Sequence, residues 1–349
     1  MLYDIQLFFQ TFWQPLLIIT TAAVGYCSIL KWYGKMSLAQ TIALFLTGII
    51  VITCIFLPFN WSISNAGQAQ ELNIFFFKVN IEGNNFIQGL KNTLGDGKVV
   101  SGSGVENTVT FFLAFLEEFA KLVLLIFLVK KILKWPIVLL GILLLGKIVY
   151  EYYSMAGIPL SQTILIAIGG LIMIGTLTLS LSFSTQLESV SDYIFSIALV
   201  AAGFAFAENI KYMMDLFHQG QTDSMIRDNA ILRSIFGYLS HIFFSMICVL
   251  IYARGRFAFL RAIDTIGSVS PLQKTLGWKN YTTLMTWIGF VGGVSVATLL
   301  HGYYNTMIAT GDVGIPSTIL IVGFLFLELF VLHNLRNTTR YGLFEEAMT

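Results

Sequence analysis

Charge is what this sequence has least of. Only 11% of its 349 residues are Asp, Glu, Lys or Arg, less than half of the roughly 25% that a soluble domain uses. With 56% hydrophobic residues and a mean hydropathy of +0.78, a water-soluble globule is excluded and the chain is expected to live in lipid. An excess of one sign is lacking too: the net charge is +1, which leaves no global field to draw in a nucleic-acid backbone. Cysteine is scarce, and Cys27, Cys54 and Cys248 each lie in a different apolar run, where a thiol serves as a small buried hydrophobe instead of a disulfide half or a metal ligand. Proline is scarce as well. All six, at 15, 58, 136, 159, 271 and 316, are expected at or near the ends of helices, where the missing N–H does least harm. No Lys or Arg precedes the first apolar run and Asp4 stands there instead, so that run is expected to be retained and not cleaved as a signal peptide.

Measured against a span of about 20 residues, the apolar runs predict an all-α polytopic bundle of about nine transmembrane helices. They fall near residues 12–30, 38–57, 108–129, 136–153, 162–183, 193–214, 231–252, 283–308 and 315–334. This divides the chain into two N-terminal helices (1–58), an extracytoplasmic loop (59–105), a membrane core (106–310) and a last helix with a cytoplasmic tail (311–349). Lys31, Lys35, Lys130, Lys131, Lys134, Arg254, Arg256, Arg261, Lys274, Lys279, Arg336 and Arg340 cluster at the junctions of one side. By the positive-inside rule that side is the cytoplasm, with the N-terminus outside, in a cell membrane. The 59–105 connection is rich in Gly, Asn and Ser around an apolar knot, "NIFFFKVNI", and is expected to form a partly ordered loop over the outer face.

What the spans do contain is a small set of ionisable groups that should not be there. The run "FFLAFLEEFAKLVLLIFLVKK" carries Glu117, Glu118 and Lys121, and each charge costs about 2.5–3.5 kcal/mol near a bilayer centre. "AAGFAFAENIKYM" adds Glu208 and Asn209, "GYLSHIFFSMI" adds His241 and Ser245, and "TLLHGYYNTMI" adds His301 and Asn305. Counted at about 1.5 Å per residue from the outer ends of their helices, Glu117, Glu208, His241 and His301 lie at a similar level in the outer half of the membrane. Two acids and two imidazoles at one depth point to a shared polar cavity. Glu117 and Lys121 stand four residues apart on one face, whereas Glu118 is rotated about 100°, so one glutamate can pair with the lysine while the other turns inward. Asn209 and Ser245 are read as helix–helix hydrogen-bonding groups. Small residues, Gly203, Ala205, Ala207 and the Gly289/Gly293 pair, allow the helices to approach closely.

The ordered motifs "EEFAK" (117–121), "GFAFAEN" (203–209), "HIFFS" (241–245) and "HGYYN" (301–305) resemble the PrsW family of intramembrane proteases, relatives of the CAAX prenyl endopeptidases. The resemblance runs from the third to the eighth helix. It implies cleavage of a membrane-tethered protein, such as an anti-sigma factor, at the outer face, and it carries the relatives' paired glutamates onto Glu117 and Glu118 and their final His-x-x-x-Asn onto His301 and Asn305; with Glu208 and His241 of the shared cavity these are the candidate catalytic residues. CAAX-type enzymes carry Phe-x-x-x-His on the middle helix, whereas here Phe204 leads to Glu208. Two versions of the hydrolysis fit these residues. In one, Glu118, Glu208, His241 and His301 hold a divalent metal, zinc above all, which activates a water. In the other, glutamate and histidine alone polarise the water, and His301 with Asn305 steady the oxyanion. The rival class is a proton- or ion-coupled transporter, which also uses buried Glu and His; the acid pair, however, has no counterpart in another segment.

Overall fold

A computed structural model describes residues 2–34, 36–51, 71–74, 77–80, 104–130, 190–257 and 271–309, with 318, 320, 322 and 323 beyond them. The expected helices at 136–153 and 162–183, most of that at 315–334, and Cys54 lie outside the described residues. The elements in chain order are α1 (Leu2–Tyr33), α2 (Leu38–Val51), β1 (Glu71–Ile74), β2 (Phe77–Asn80), α3 (Gly104–Lys130), α4 (Val190–His218), α5 (Asp223–Leu232), a π-helical turn (Arg233–Gly237), α6 (Tyr238–Arg256) and α7 (Pro271–Ala309).

Four of the described helical stretches are long and apolar enough to cross a membrane: Trp13–Tyr33, Val190–Met214, Asp223–Arg256 and Asn280–Ile308. The chain is an integral membrane protein of helical architecture. Among the described residues the helices are accompanied by one small element that the periodicity did not predict, an antiparallel hairpin with Glu71 opposite Asn80 and Ile74 opposite Phe77. The hairpin falls on the apolar knot of the long loop, where β-branched and aromatic residues alternate with polar ones.

Several boundaries differ from expectation for physical reasons. The helix expected from 231 starts at Asp223, because Thr222 caps it by accepting a hydrogen bond from the Met225 N–H at 3.4 Å. α1 continues upstream to Leu2, which leaves Pro15 inside a helix instead of near its end. Pro271 does take the favoured first position of a helix. α7 bends at Gly277, whose φ of 71° is open to glycine and strained for other residues, so its first turn is set off from the membrane-length part.

α4 is the central post. It packs against α1, α2 and α6, while α6 packs on α7 and α7 on α3. Residues 193–205 of α4 are buried all round, as a helix apolar on every face should be in the middle of a bundle. The neighbours come close because glycines stand at the crossings. A Cβ on Gly203 would strike the Phe45 carbonyl of α2, and one on Gly293 the Cys248 carbonyl of α6. On the outer flanks, Leu17 and Val24 of α1 and Trp287, Val291 and Leu299 of α7 expose the large apolar side chains expected of a lipid-facing surface. Cys27 and Cys248 are free thiols.

Candidate active site

α3, α4, α6 and α7 each bring one ionisable stretch to the same place, and the close approach of α6 and α7 sets His241 beside His301. Their rings lie 5.2 Å apart, nearly perpendicular at 86°. Aromatic side chains wall them in: Phe244 stacks on His301 at 4.9 Å, and Phe204 lies 5.1 Å from His241.

Glu118 and Lys121 are wholly enclosed by protein. Lys121 Nζ donates to Glu118 Oε1 at 2.7 Å and also lies 4.2 Å above the Phe204 ring. Two further groups meet the Glu118 carboxylate: Ser245 Oγ donates to Oε2 at 2.8 Å, and His301 Nδ1 lies 3.1 Å from Oε1. A buried carboxylate is tolerable only when its lone pairs are met in this way. Of the two adjacent acids, then, Glu118 is the lysine's partner, three residues away, and Glu117 is the one left facing the histidines.

Glu208 serves the other imidazole. Its Oε2 lies 2.7 Å from His241 Nε2 and accepts a hydrogen bond from Arg233 Nη2 at 2.8 Å. Asn209 cross-links α4 to the π-helical turn, accepting from Arg233 Nε at 2.9 Å and donating to the Arg233 carbonyl at 3.3 Å. The cluster is closed at Glu118 and Lys121 and more open at Glu208 and Arg233, whose side chains retain 28% and 25% exposure.

Each histidine therefore has one nitrogen held by a carboxylate, and the other turned toward Glu117. His301 Nε2 is 3.8 Å, and His241 Nδ1 3.9 Å, from Glu117 Oε2. That oxygen is buried and makes no hydrogen bond. Donor atoms of Glu117, His241 and His301 all lie within 4.8 Å of one another, and so could hold a metal ion. Donors around a tetrahedral zinc with bonds of about 2.1 Å sit roughly 3.4 Å apart, so the 3.8 and 3.9 Å sides that meet at Glu117 Oε2 are wider than a bound zinc would set them by about half an ångström. A carboxylate on the far nitrogen of each ligating histidine is also the usual companion of such a site. The residues fit a divalent cation, with one competing contact: Lys121 Nζ lies 3.3 Å from the same His241 Nδ1.

The arrangement distributes the expected residues differently from the anticipated donor set of Glu118, Glu208, His241 and His301. The two histidines stand at the centre, Glu117 completes the converging group, and Glu118 and Glu208 stand behind the imidazoles. Asn305 is half-buried one turn from His301, and no described contact joins it to the cluster. Arg233 was missed by sequence reasoning, because an arginine at the end of an apolar run reads as a topology signal. Its spacing from His241 gave no hint either, since eight residues put two groups about 80° apart on a regular α-helix.

No curated protein and no solved structure matches the chain. A family comparison does, and it begins after α3, so it covers Glu208, His241 and His301 but not Glu117 and Glu118. Residues 172–332 match the PrsW family intramembrane metalloprotease, the family that the four motifs resemble.

Proposed function

We propose that the chain is an intramembrane endopeptidase that hydrolyses a peptide bond of a membrane-anchored protein near the outer face of the bilayer, with a water activated between Glu117, His241 and His301. The observation that carries this reading is Glu117 Oε2, buried without a hydrogen-bond partner and nearly equidistant from two imidazole nitrogens. An unpaired carboxylate oxygen in a dry site is costly, and a cation or a water among the three groups removes the cost.

Glu117, His241 and His301 would hold the ion, zinc by the character of these donors; when bound it would lower the pKa of a coordinated water toward about 7 and polarise the scissile carbonyl. The chain's own residues do the orienting. Glu208 accepts the Nε2–H of His241 and Glu118 the Nδ1–H of His301, so each ring keeps the tautomer whose lone pair faces Glu117. Ser245 and Lys121 hold Glu118 in turn. Phe204 and Phe244 keep the rings upright and exclude water from behind. Asn305 is assigned the amide donor to the developing oxyanion.

The Lys121 contact with His241 Nδ1 favours a second version, in which no ion is held and Glu117 takes the proton from the attacking water. Both versions place Glu117 at the chemistry. In either, Glu117→Gln abolishes cleavage of a membrane-anchored substrate by the purified protein in detergent while expression and folding persist; cleavage at the wild-type rate would remove Glu117 from the mechanism. Metal analysis separates the two. About one divalent ion per chain, lost in His241→Ala and His301→Ala, supports the first version, and full activity after exhaustive chelation leaves the second. Ion flux in liposomes without proteolysis would move the protein to the transporter class.

The distribution of Lys and Arg supports an outward N-terminus, a cytoplasmic C-terminus and a site in the outer half of a cell membrane. The substrate of this reading is a single-pass protein of the anti-sigma-factor kind.

A further inference from the structure

The groups around the site have been accounted for except Arg233, an arginine on the open side of the cluster that the reaction as described does not use. We propose that Arg233 is a positioning residue: with Asn209 it locks the Glu208 carboxylate, and through it the His241 ring, in the orientation that aims Nδ1 at Glu117. This inference rests on the proposed function and adds a residue to it.

Three observations carry it. Arg233 Nη2 and His241 Nε2 share one oxygen of Glu208, at 2.8 and 2.7 Å, so the guanidinium determines where that oxygen sits. Arg233 is itself held from both ends. Asn209, fully buried, accepts from its Nε and donates to its backbone carbonyl, and the guanidinium carbon lies 4.3 Å above the Tyr212 ring. Arginine's planar fork suits this double hold in a way a lysine's point charge does not. The third observation is the π-helical turn at Arg233–Gly237. A single π turn takes up roughly one extra residue, so it turns Arg233 back by about 100° relative to His241 and cancels the 80° offset of a regular helix. Arg233 and His241 thereby come onto the same side, facing Glu208. The turn has a use: it puts the arginine over the acid.

The test uses the full-length protein in detergent, with Co2+ as the probe for the site and a membrane-anchored substrate for turnover. Arg233→Met is expected to weaken Co2+ binding by about 10- to 100-fold and to lower kcat with KM nearly unchanged, while Arg233→Lys recovers part of both. In a double-mutant cycle, Arg233→Met added to Glu208→Gln should cost little more than Glu208→Gln alone, because both act on the same carboxylate. Wild-type Co2+ affinity and kcat in Arg233→Met would overturn the inference, as would fully additive losses in the cycle. An effect confined to KM would also overturn it, since it would make Arg233 a substrate contact. If Arg233→Met does not fold, the comparison of Arg233→Lys with Arg233→Gln decides in the same way. If the wild type takes up no Co2+, the metal version of the proposed function fails by itself and the kcat cycle alone decides the role of Arg233.

Discussion

At the scale of single residues, the site is held together by ion pairs that would be intolerable one at a time. Glu118 and Lys121 have no solvent contact, and their 2.7 Å pair is extended by Ser245 and His301. Removing one member of a buried pair leaves an uncompensated charge, at a cost of about 3–5 kcal/mol. Lys121→Met is therefore expected to lower the thermal unfolding midpoint in detergent sharply or to prevent folding. Lys121→Met combined with Glu118→Gln should regain much of the stability but not the activity, because His301 has lost the carboxylate that orients it. Ser245→Ala removes one hydrogen bond to a carboxylate and should cost about 1.5–3 kcal/mol by the same measurement. An unchanged midpoint in Lys121→Met would mean that Glu118 sits neutral and the pair carries no charge. The sequence named Glu117, Glu118, Glu208, His241 and His301 as a group because hydropathy makes any charge in a span conspicuous. Their roles were not legible there. Glu117 and Glu118 are separated by about 100° on one helix, and which of them faces the histidines depends on how α3 is rotated against α7.

Helix crossings and one irregular turn decide the geometry at the scale of elements. Gly289 and Gly293 of α7 run against the Ile251 and Cys248 carbonyls of α6, and this contact sets the spacing of His241 and His301. Gly293→Val should force the two helices apart, with loss of activity and of the folded state in size-exclusion chromatography, whereas Val296→Leu, at an exposed position of the same helix, should be tolerated. The π-helical turn makes a sharper prediction. Deleting Ile235, which is exposed, should convert the turn to α-helix and keep Arg233 over Glu208, so activity is largely retained. Inserting an alanine after Ile235 should rotate Arg233 away by about 100° and reduce activity to the extent expected of Arg233→Met. Equal losses in the deletion and the insertion would show that the turn's register does not matter. The small residues at the crossings were legible because close packing in lipid calls for them. The π turn was not, since a local sequence says little about which helix face must meet a group on another helix.

At the scale of the whole molecule, the question is how a peptide bond reaches a site walled by helices. An intact transmembrane helix has its amides bonded internally, so cleavage within it requires local unwinding. Substrate is expected to enter as an extended segment beside the more open Glu208 and Arg233, and the scissile bond to lie within a few residues of the outward end of the substrate's helix. Mass spectrometry of the released fragment checks this; a cut at the cytoplasmic end, or removal of a prenylated C-terminal tripeptide, would reverse the orientation and the substrate class. Shortening the 59–105 loop outside its hairpin should change the choice of substrate more than the rate of hydrolysis.

Hydropathy, counted residue by residue, was enough to establish a membrane chain, the approximate course of the helices among the described residues and the few charges that lipid would penalise, because each of these depends on local composition. The ordered motifs were enough to point to a protease family for the same reason: they are strings. The tertiary structure alone decided that Glu117 faces the two imidazoles, that Glu118 and Glu208 stand behind them, and that Arg233 pairs with Glu208. Those facts depend on the rotation of α3, α4, α6 and α7 about their own axes, and that rotation is set by side chains and glycines at crossings between segments distant in the chain, such as Gly203 with Phe45 and Gly293 with Cys248.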